Sequence, residues 1–321
     1  MFVQREAKVT RMKVFRNQIL ARGTNWFLAA VLSVVLILTA CTSPLETPTQ
    51  YVVDDLGRLV TLNRTPQRII SLAPSNTEIL FALGLGNRVV GVTSYCDYPP
   101  EAQDKEKVGD YYAPDIERII ALQPDLILAT DFHRFDLIPA LEQQGLTVFA
   151  VAPQTLDDVL ESIDKIGEIT GNEAEASELV NGMRSKIADI AEQTKGLDQK
   201  PGVFYMTWQD PMWTVGRNTW IDDLINMAGG VNIFSQNFEG GAMVQIEWVI
   251  LLNPEIIISS QWSYDWALNA TELASTNASQ TGRIYTFDDN LIQRPGPRLI
   301  EGLEWLAHFI HPEIFGEPEG S

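Results

Sequence analysis

The chain has 321 residues, 45% of them hydrophobic and 20% charged, with 42 acidic against 23 basic side chains and a formal charge of −19. That length and apolar fraction allow one large or two ordinary domains with a real core, and exclude a disordered or collagen-like chain. The acidity speaks against a nucleic-acid partner, because phosphate binding needs a basic face, and two cysteines are too few for a disulfide scaffold.

Residues 1–25 carry Arg5, Lys8, Arg11, Lys13, Arg16 and Arg22 against one acid, Glu6, and Trp26 to Ala40 is a 15-residue run without charge. A basic stretch before a short apolar one is the pattern of an export signal. The run is shorter than the roughly 20 residues that span a bilayer. It ends in Leu38-Thr39-Ala40-Cys41, which resembles the bacterial lipobox, where the signal is cut before the cysteine and the cysteine is lipidated. The alternative is an uncleaved anchor with an incidental cysteine. Both place the rest of the chain outside the cytoplasm, tied to a membrane. Cleavage of residues 1–40 removes six basic side chains and one acid, leaving −24 over 281 residues and Cys96 as a lone thiol. Such a charge favours solubility and suits a basic docking partner. Residues 41–50, polar and proline-bearing, read as a lipidated tether.

The segment Tyr51 to Leu62 alternates around Asp55-Leu56-Gly57 and predicts a hairpin. Arg68 to Ala73 predicts a strand that ends at Pro74-Ser75-Asn76, where Ser75 or Asn76 would cap a helix stopped by Gly84. A strand over 88–93, a helix over 115–122, a strand over 125–130, a helix over 137–144 and a strand over 147–151 follow. This alternation implies a mostly parallel sheet covered by helices. Asn172 to Lys195 has few breakers, with Ala176, Val180, Met183, Ile187 and Ile190 at three- and four-residue spacing. It predicts one helix roughly 35 Å long, a stiff link that limits opening and closing. The pattern then repeats: DIERIIALQPDLILAT at 115–130 aligns with QIEWVILLNPEIIISS at 245–260. Glu117 matches Glu247, Pro124 matches Pro254, and Asn76-Thr77 matches Asn218-Thr219. Two α/β lobes of similar design follow, over residues 51–171 and 197–321, with the connecting helix at 172–196.

The motifs DDLGRLVTL, RIISLAPSNTEILFALGLGNRVVGVTSYCDYP, VGDYYAPDIERIIALQPDLILA and RPGPRLIEGLEWLAHFIHPE resemble those of the substrate-binding lipoproteins of ATP-driven uptake systems for cobalamin, ferric siderophores and haem. The match spans about residues 51–315, and SYCDYPP and RPGPRLIEGL are most similar to the cobalamin-binding branch. The resemblance implies two Rossmann-like lobes joined by a single long helix, the class III substrate-binding architecture, with a ligand held between them. It implies a monomer that serves a membrane permease dimer and its ATPase subunits, anchored by lipid at Cys41 on the outer side of the cell membrane, the periplasmic side if an outer membrane exists. It also implies that Glu117 and Glu247, one per lobe, pair with arginines of the permease. Their place near helix starts, where the helix dipole favours a carboxylate, accounts for them without any partner.

In an open parallel sheet the loops at the carboxyl ends of strands face the crevice. Those loops offer Tyr95, Tyr98, Tyr111, Tyr112, Phe132 and His133 from the first half, and Trp208, Trp213, Trp262, Trp266, Arg294 and Arg298 from the second. Broad aromatic faces with scattered donors suit a large, flat ligand edged with amides, a corrin or a porphyrin. The expected ligand set is Tyr95, Tyr111, Tyr112, Trp208, Trp213, Trp262, Arg294 and Arg298. Tyr98 is read as turn packing. Trp220, Trp248 and Trp305 fall in helical patterns and are read as core. His133 is a solvated loop residue or a ligand to a metal carried by the bound molecule, and Cys96 is a buried filler or a thiolate ligand.

No GxSxG, GxxxxGK[ST], HExxH or paired-cysteine motif occurs, so no enzyme is expected. GLGNRVVG at 84–91 follows a helix and enters a strand, the reverse of a dinucleotide fingerprint. The expected function is capture of cobalamin or a related corrinoid for import, with no cofactor of the chain's own. Haem or ferric-siderophore binding is the alternative within the class; an extracytoplasmic sensor or enzyme on the same fold is the alternative outside it. Siderophore sites usually gather several basic groups, and Arg294 and Arg298 are few.

Overall fold

The computed structural model describes residues 49–317; the expected signal, Cys41 and all but the last two residues of the expected tether lie outside them. Gln50, the last of those two, already belongs to a strand. Strands β1 (Gln50–Val53) and β2 (Leu59–Leu62) form the expected hairpin, turned by Gly57 at φ +76°. Asp54 and Asp55 pin it to the first sheet: their carboxylates accept the Ala150 and Ala152 N–H groups at 3.1 and 2.8 Å.

The first sheet comprises β3 (Ile69–Ser71), β4 (Val89–Val92), β5 (Glu106–Lys107), β6 (Leu126–Ala129) and β7 (Val148–Ala150), in the order β5-β4-β3-β6-β7 and parallel throughout. β3, β6 and β7 are buried along their whole length, as expected of strands with helices on both faces. Helices α1 (Pro74–Ala82), α2 (Ile116–Ala121) and α3 (Leu137–Gln143) separate them. The start of α1 differs from the expectation. Ala73 is its N-cap and Pro74 its first residue, while Ser75 and Asn76 lie buried inside the helix, with the Asn76 amide donating to the Ala129 carbonyl. Proline at the first position needs no N–H partner, so no side-chain cap is required there.

A helix that the sequence analysis did not assign, α4 (Leu156–Thr170), precedes the long α5 (Glu173–Thr194). Thr155 and Asp158 cap α4 reciprocally, and Gly171 ends it at φ +71°. A Cβ on Gly167 would sit 2.4 Å from that of Ala176, so glycine is what lets α4 and α5 pack closely. The link is the expected long helix, α5, and α4 packs against it from the first half. The start of α4 already bonds the second half: Leu156 N–H donates to the Asp223 carboxylate at 2.8 Å, and Trp220 N–H to the Gln154 carbonyl at 2.8 Å.

The second sheet comprises β8 (Gly202–Met206), β11 (Val231–Asn232), β13 (Ile256–Ser259) and β14 (Ile284–Tyr285), in the order β11-β8-β13-β14 and parallel. A separate antiparallel ribbon is made by β9 (Trp208–Gln209), β10 (Met212–Val215) and β12 (Gly241–Met243), with β10 in the middle. Helices α6 (Trp220–Met227), α7 (Ile246–Leu252), α8 (Tyr264–Asn269), α9 (Asn277–Thr281), α10 (Asn290–Gln293), α11 (Leu299–Ile310) and α12 (Pro312–Phe315) belong to this half. One apolar cluster runs from Ile79 and Leu80 of α1 through Ile163 and Val180 of the helix pair to Leu224 and Leu303. The two lobes share a core, which makes their mutual placement stiff.

The internal repeat extends to the backbone. Gln123 and Asn253, each just before the matched proline, take φ +48° and +45°. The N–H of the next residue, Asp125 or Glu255, donates to the neighbouring strand at Arg68 or Gly202, and the Asp125 or Glu255 carboxylate accepts the N–H coming back. Among the described residues no helix is long and apolar enough to cross a membrane.

Candidate functional site

A cavity of about 610 Å³ opens where the carboxyl ends of the first sheet meet the second half. That volume lies within the usual range of small-molecule sites. Four loops of the first half reach it, each following a strand or turn at the sheet's carboxyl side, through Ala73–Ser75, Tyr95, Tyr111–Tyr112 and Thr130–Asp131. The second half contributes Thr207, Val215, Thr219–Ile221, Gly240–Gly241, Asn290 and Gln293–Pro295, and the loop before α4 contributes Val151–Gln154.

The N-lobe wall is an aromatic network. Gly109 starts its loop at φ +103°, where a Cβ would meet the Ala113 carbonyl and Asp115 nitrogen at 2.9 Å. Asp110 then accepts the N–H groups of Tyr112 and Ala113 at 2.8 and 2.7 Å, an Asx turn that presents Tyr111 and Tyr112. Tyr111 stacks on Phe132 with centroids 5.2 Å apart, and Tyr112 meets Tyr111 edge-on at 5.2 Å and Tyr95 at 6.2 Å. These are the offset and T-shaped arrangements that ring quadrupoles favour. The Tyr111 hydroxyl lies 3.0 Å from Thr130 Oγ1, and burial pushes its pKa up.

His133 is buried rather than solvated. Its Nε2 lies 2.8 Å from the Tyr111 carbonyl, which can only accept, so Nε2 carries the proton; Nδ1 accepts the Thr130 N–H at 3.2 Å. Both ring nitrogens are occupied, which removes His133 as a metal ligand. Burial lowers its pKa and keeps it neutral. Its function is to tie the Tyr111 loop to the end of β6. Cys96 is also buried, with Sγ 3.2 Å from Thr93 Oγ1 and its pKa raised by burial, so it is a filler.

Trp208, Trp213 and Trp262 are exposed and do not line the cavity. Strand register nevertheless relates two of them to it. Trp213 pairs with Trp208 on one side and Met243 on the other, and Val215 pairs with Gly241. Residues two apart on a strand share a face, so the Trp208–Trp213–Met243 row continues, about 7 Å further along, the surface that Val215 and Gly241 present to the cavity. Trp262 stands apart in the turn after β13. Trp220 packs against the core as expected and also lines the cavity, its indole N–H anchored on the Ile292 carbonyl at 2.7 Å. Trp248, also expected in the core, is exposed, whereas Trp305 stacks on Phe287 as expected of a core residue.

The arginines are committed to carboxylates. Arg294 lines the cavity, but its Nη1 donates to Asp97 at 2.6 Å and to Glu78 at 3.2 Å. Arg298 lies off the cavity and grips Glu78 with two bonds of 2.6 and 2.9 Å, its guanidinium 4.0 Å from the Tyr98 ring. Glu78, on α1, is only 2% exposed and ties the first half to the turn before α11. Burial alone would lower the Arg294 pKa, but Asp97 and Glu78 raise it; burial alone would raise that of Asp97, but Arg294 holds it below the usual carboxylate value. Glu78 and Asp97 were not foreseen as site residues, because their partners lie roughly 200 residues away in the chain. On the far side of this cluster a second hollow of about 770 Å³ is lined by Phe81, Tyr98, Lys105, Arg298 and Glu301 among others.

Glu117 and Glu247 occupy the second positions of α2 and α7, both exposed. The titratable side chains lining the cavity are Tyr95, Tyr111, Tyr112, Asp131 and Arg294. With Arg294 neutralised, the cavity can hold a flat molecule by ring contact and by hydrogen bonds from hydroxyl, amide and backbone groups.

Comparison with known proteins agrees with this architecture. The family model described as periplasmic binding protein matches residues 69–291. The chain is 35% identical over 308 residues to the uncharacterised ABC transporter substrate-binding lipoprotein YvrC of Bacillus subtilis (strain 168), covering 90% of this chain and 98% of that one. A crystal structure of a possible iron-binding, periplasmic solute-binding protein from Staphylococcus epidermidis is 32% identical, with a TM-score of 0.69 over 77% of this chain and all of the other. The periplasmic vitamin B12 binding protein BtuF of Vibrio cholerae is 29% identical, with a TM-score of 0.67 over 77% and 97%.

Proposed function

The chain belongs to the periplasmic binding protein family, and on that premise we propose that it is the substrate-binding component of an ABC importer that captures cobalamin or a related corrinoid. No bond is made or broken by it, and it needs no cofactor of its own. The observation that carries the choice of ligand is the charge of the cavity. Its walls are aromatic and amide-bearing, and the cation among its described lining residues, Arg294, is already paired with Asp97 and Glu78. A large ring edged with amides suits such a site better than a haem with carboxylates or an anionic siderophore, either of which calls for free basic groups. The similarity to BtuF points the same way.

Delivery would use Glu117 and Glu247, one exposed acid at the same place in each half, against a two-fold related pair of basic patches on a permease dimer driven by ATPase subunits. The protein would work as a monomer, held to the outer face of the cell membrane by lipid at Cys41. Calorimetric titration of the purified protein with cyanocobalamin, haemin and a ferric siderophore tests the ligand. Binding of cyanocobalamin alone supports the reading, and binding of haemin alone overturns it in favour of haem uptake. Glu117→Ala combined with Glu247→Ala should leave ligand affinity intact and abolish uptake in cells; unchanged uptake would remove the docking role.

A further inference from the structure

Asp97 is more exposed than the group it neutralises. Its side chain is 55% accessible, whereas that of Arg294 is 13%. The pair closes at 2.6 Å between Arg294 Nη1 and Asp97 Oδ1, with Nη2 3.4 Å from Oδ2. Glu78 does not depend on Arg294, because Arg298 already gives it two bonds of 2.6 and 2.9 Å. Asp288 adds a third carboxylate 3.9 Å from Arg298. Two guanidinium groups therefore face three carboxylates, and the cluster at the cavity edge carries a net negative charge. An incoming carboxylate would have to displace Asp97 from Arg294 and then lie among like charges, which is unfavourable at short range.

We propose that Asp97 is a specificity-determining residue: it holds the Arg294 guanidinium away from the ligand and so excludes ring ligands that bear carboxylates. The proposal deepens the reading of this cavity as the ligand site. It predicts that freeing Arg294 changes the class of ligand accepted. Because Asp97 is largely exposed and Glu78 keeps Arg298, removing the Asp97 charge leaves the tie between the lobes in place.

The test uses the full chain in detergent and metal-free deuteroporphyrin IX, which carries two carboxylates, beside its dimethyl ester, which carries none. Binding is followed by quenching of protein fluorescence. Asp97→Asn should raise affinity for the diacid by about tenfold or more, the scale of one new charge-assisted hydrogen bond, and leave the ester unchanged. Adding Arg294→Gln should cancel the gain. No gain for the diacid, an equal gain for acid and ester, or a gain that survives Arg294→Gln would each overturn the proposal. Titration of the wild-type protein with cyanocobalamin separates the two readings. If the wild type fails to bind it while the diacid gain appears, the corrinoid assignment fails and the role of Asp97 stands.

Discussion

Tyr95, Tyr111, Tyr112 and Phe132 lean on one another on the N-lobe side of the cavity, and His133 and Thr130 bolt the Tyr111 loop to the sheet. On the C-lobe side Trp208 and Trp213 sit on a narrow ribbon with Met243, exposed, and among the described residues neither forms a ring pair. The first wall is complete without a ligand. The second is apolar surface waiting to be covered. A prebuilt wall limits the ordering cost of binding, while a bare indole shelf supplies the area whose burial drives it. The Glu78 cluster and the shared core hold the two at a set separation.

Glu78→Gln attacks what holds the walls in register and should have the largest effect. It removes the nearly inaccessible carboxylate that both guanidinium groups share and leaves Arg298 with Asp288 at 3.9 Å, and breaking such a buried pair costs up to about 3–5 kcal/mol. The drop should appear in denaturant unfolding; a loss below about 1 kcal/mol would mean that the cluster does not hold the lobes. Tyr111→Ala comes next. It removes ring packing and a hydroxyl contact, so it should lower stability by about 2–3 kcal/mol. Trp213→Ala should do the reverse, with stability within about 0.5 kcal/mol of wild type and ligand affinity reduced by about 1–3 kcal/mol. If Trp213→Ala unfolds the protein and Tyr111→Ala does not, the contrast between the walls is the wrong way round.

The smallest effect is in the pH profile. The pKa of His133 is lowered from its ordinary 6.5 by burial. Below about pH 6.5 the unfolded chain takes up a proton that the folded protein refuses. The stability contributed by the neutral ring is therefore fully present above pH 6.5 and is lost as pH falls through the folded value. Thermal unfolding should show a decline in that window that His133→Gln flattens. An unaltered slope would mean that the ring is not held neutral.

Much of this was legible in the sequence. The β-α alternation, the long α5 and the matched Glu117 and Glu247 follow from local period and repeat spacing, which local residue order controls. The helix α4 is legible too, in Leu156, Val159, Leu160, Ile163, Ile166 and Ile169 behind a Thr155–Asp158 box, although no element was assigned there. The rest was hidden for physical reasons. Seven consecutive residues of α7 include six apolar ones, so no pattern could say that Trp248 faces outward. The Glu78 cluster joins residues more than 210 apart, and which arginine a carboxylate meets is decided by how the lobes pack. His133 looked like a candidate ligand because a neutral imidazole in a loop at a strand's carboxyl end can bind a metal, while its partners, the Tyr111 carbonyl and the Thr130 N–H, come from the fold.

The most direct test is a crystal structure of the protein with cyanocobalamin bound. The account predicts the corrin ring between the Tyr95–Tyr111–Tyr112 wall and the Trp208–Trp213 shelf, with Arg294 still paired to Asp97. A ring bound elsewhere, for instance in the hollow beside Tyr98 and Lys105, or one held by Arg294 released from Asp97, would contradict it.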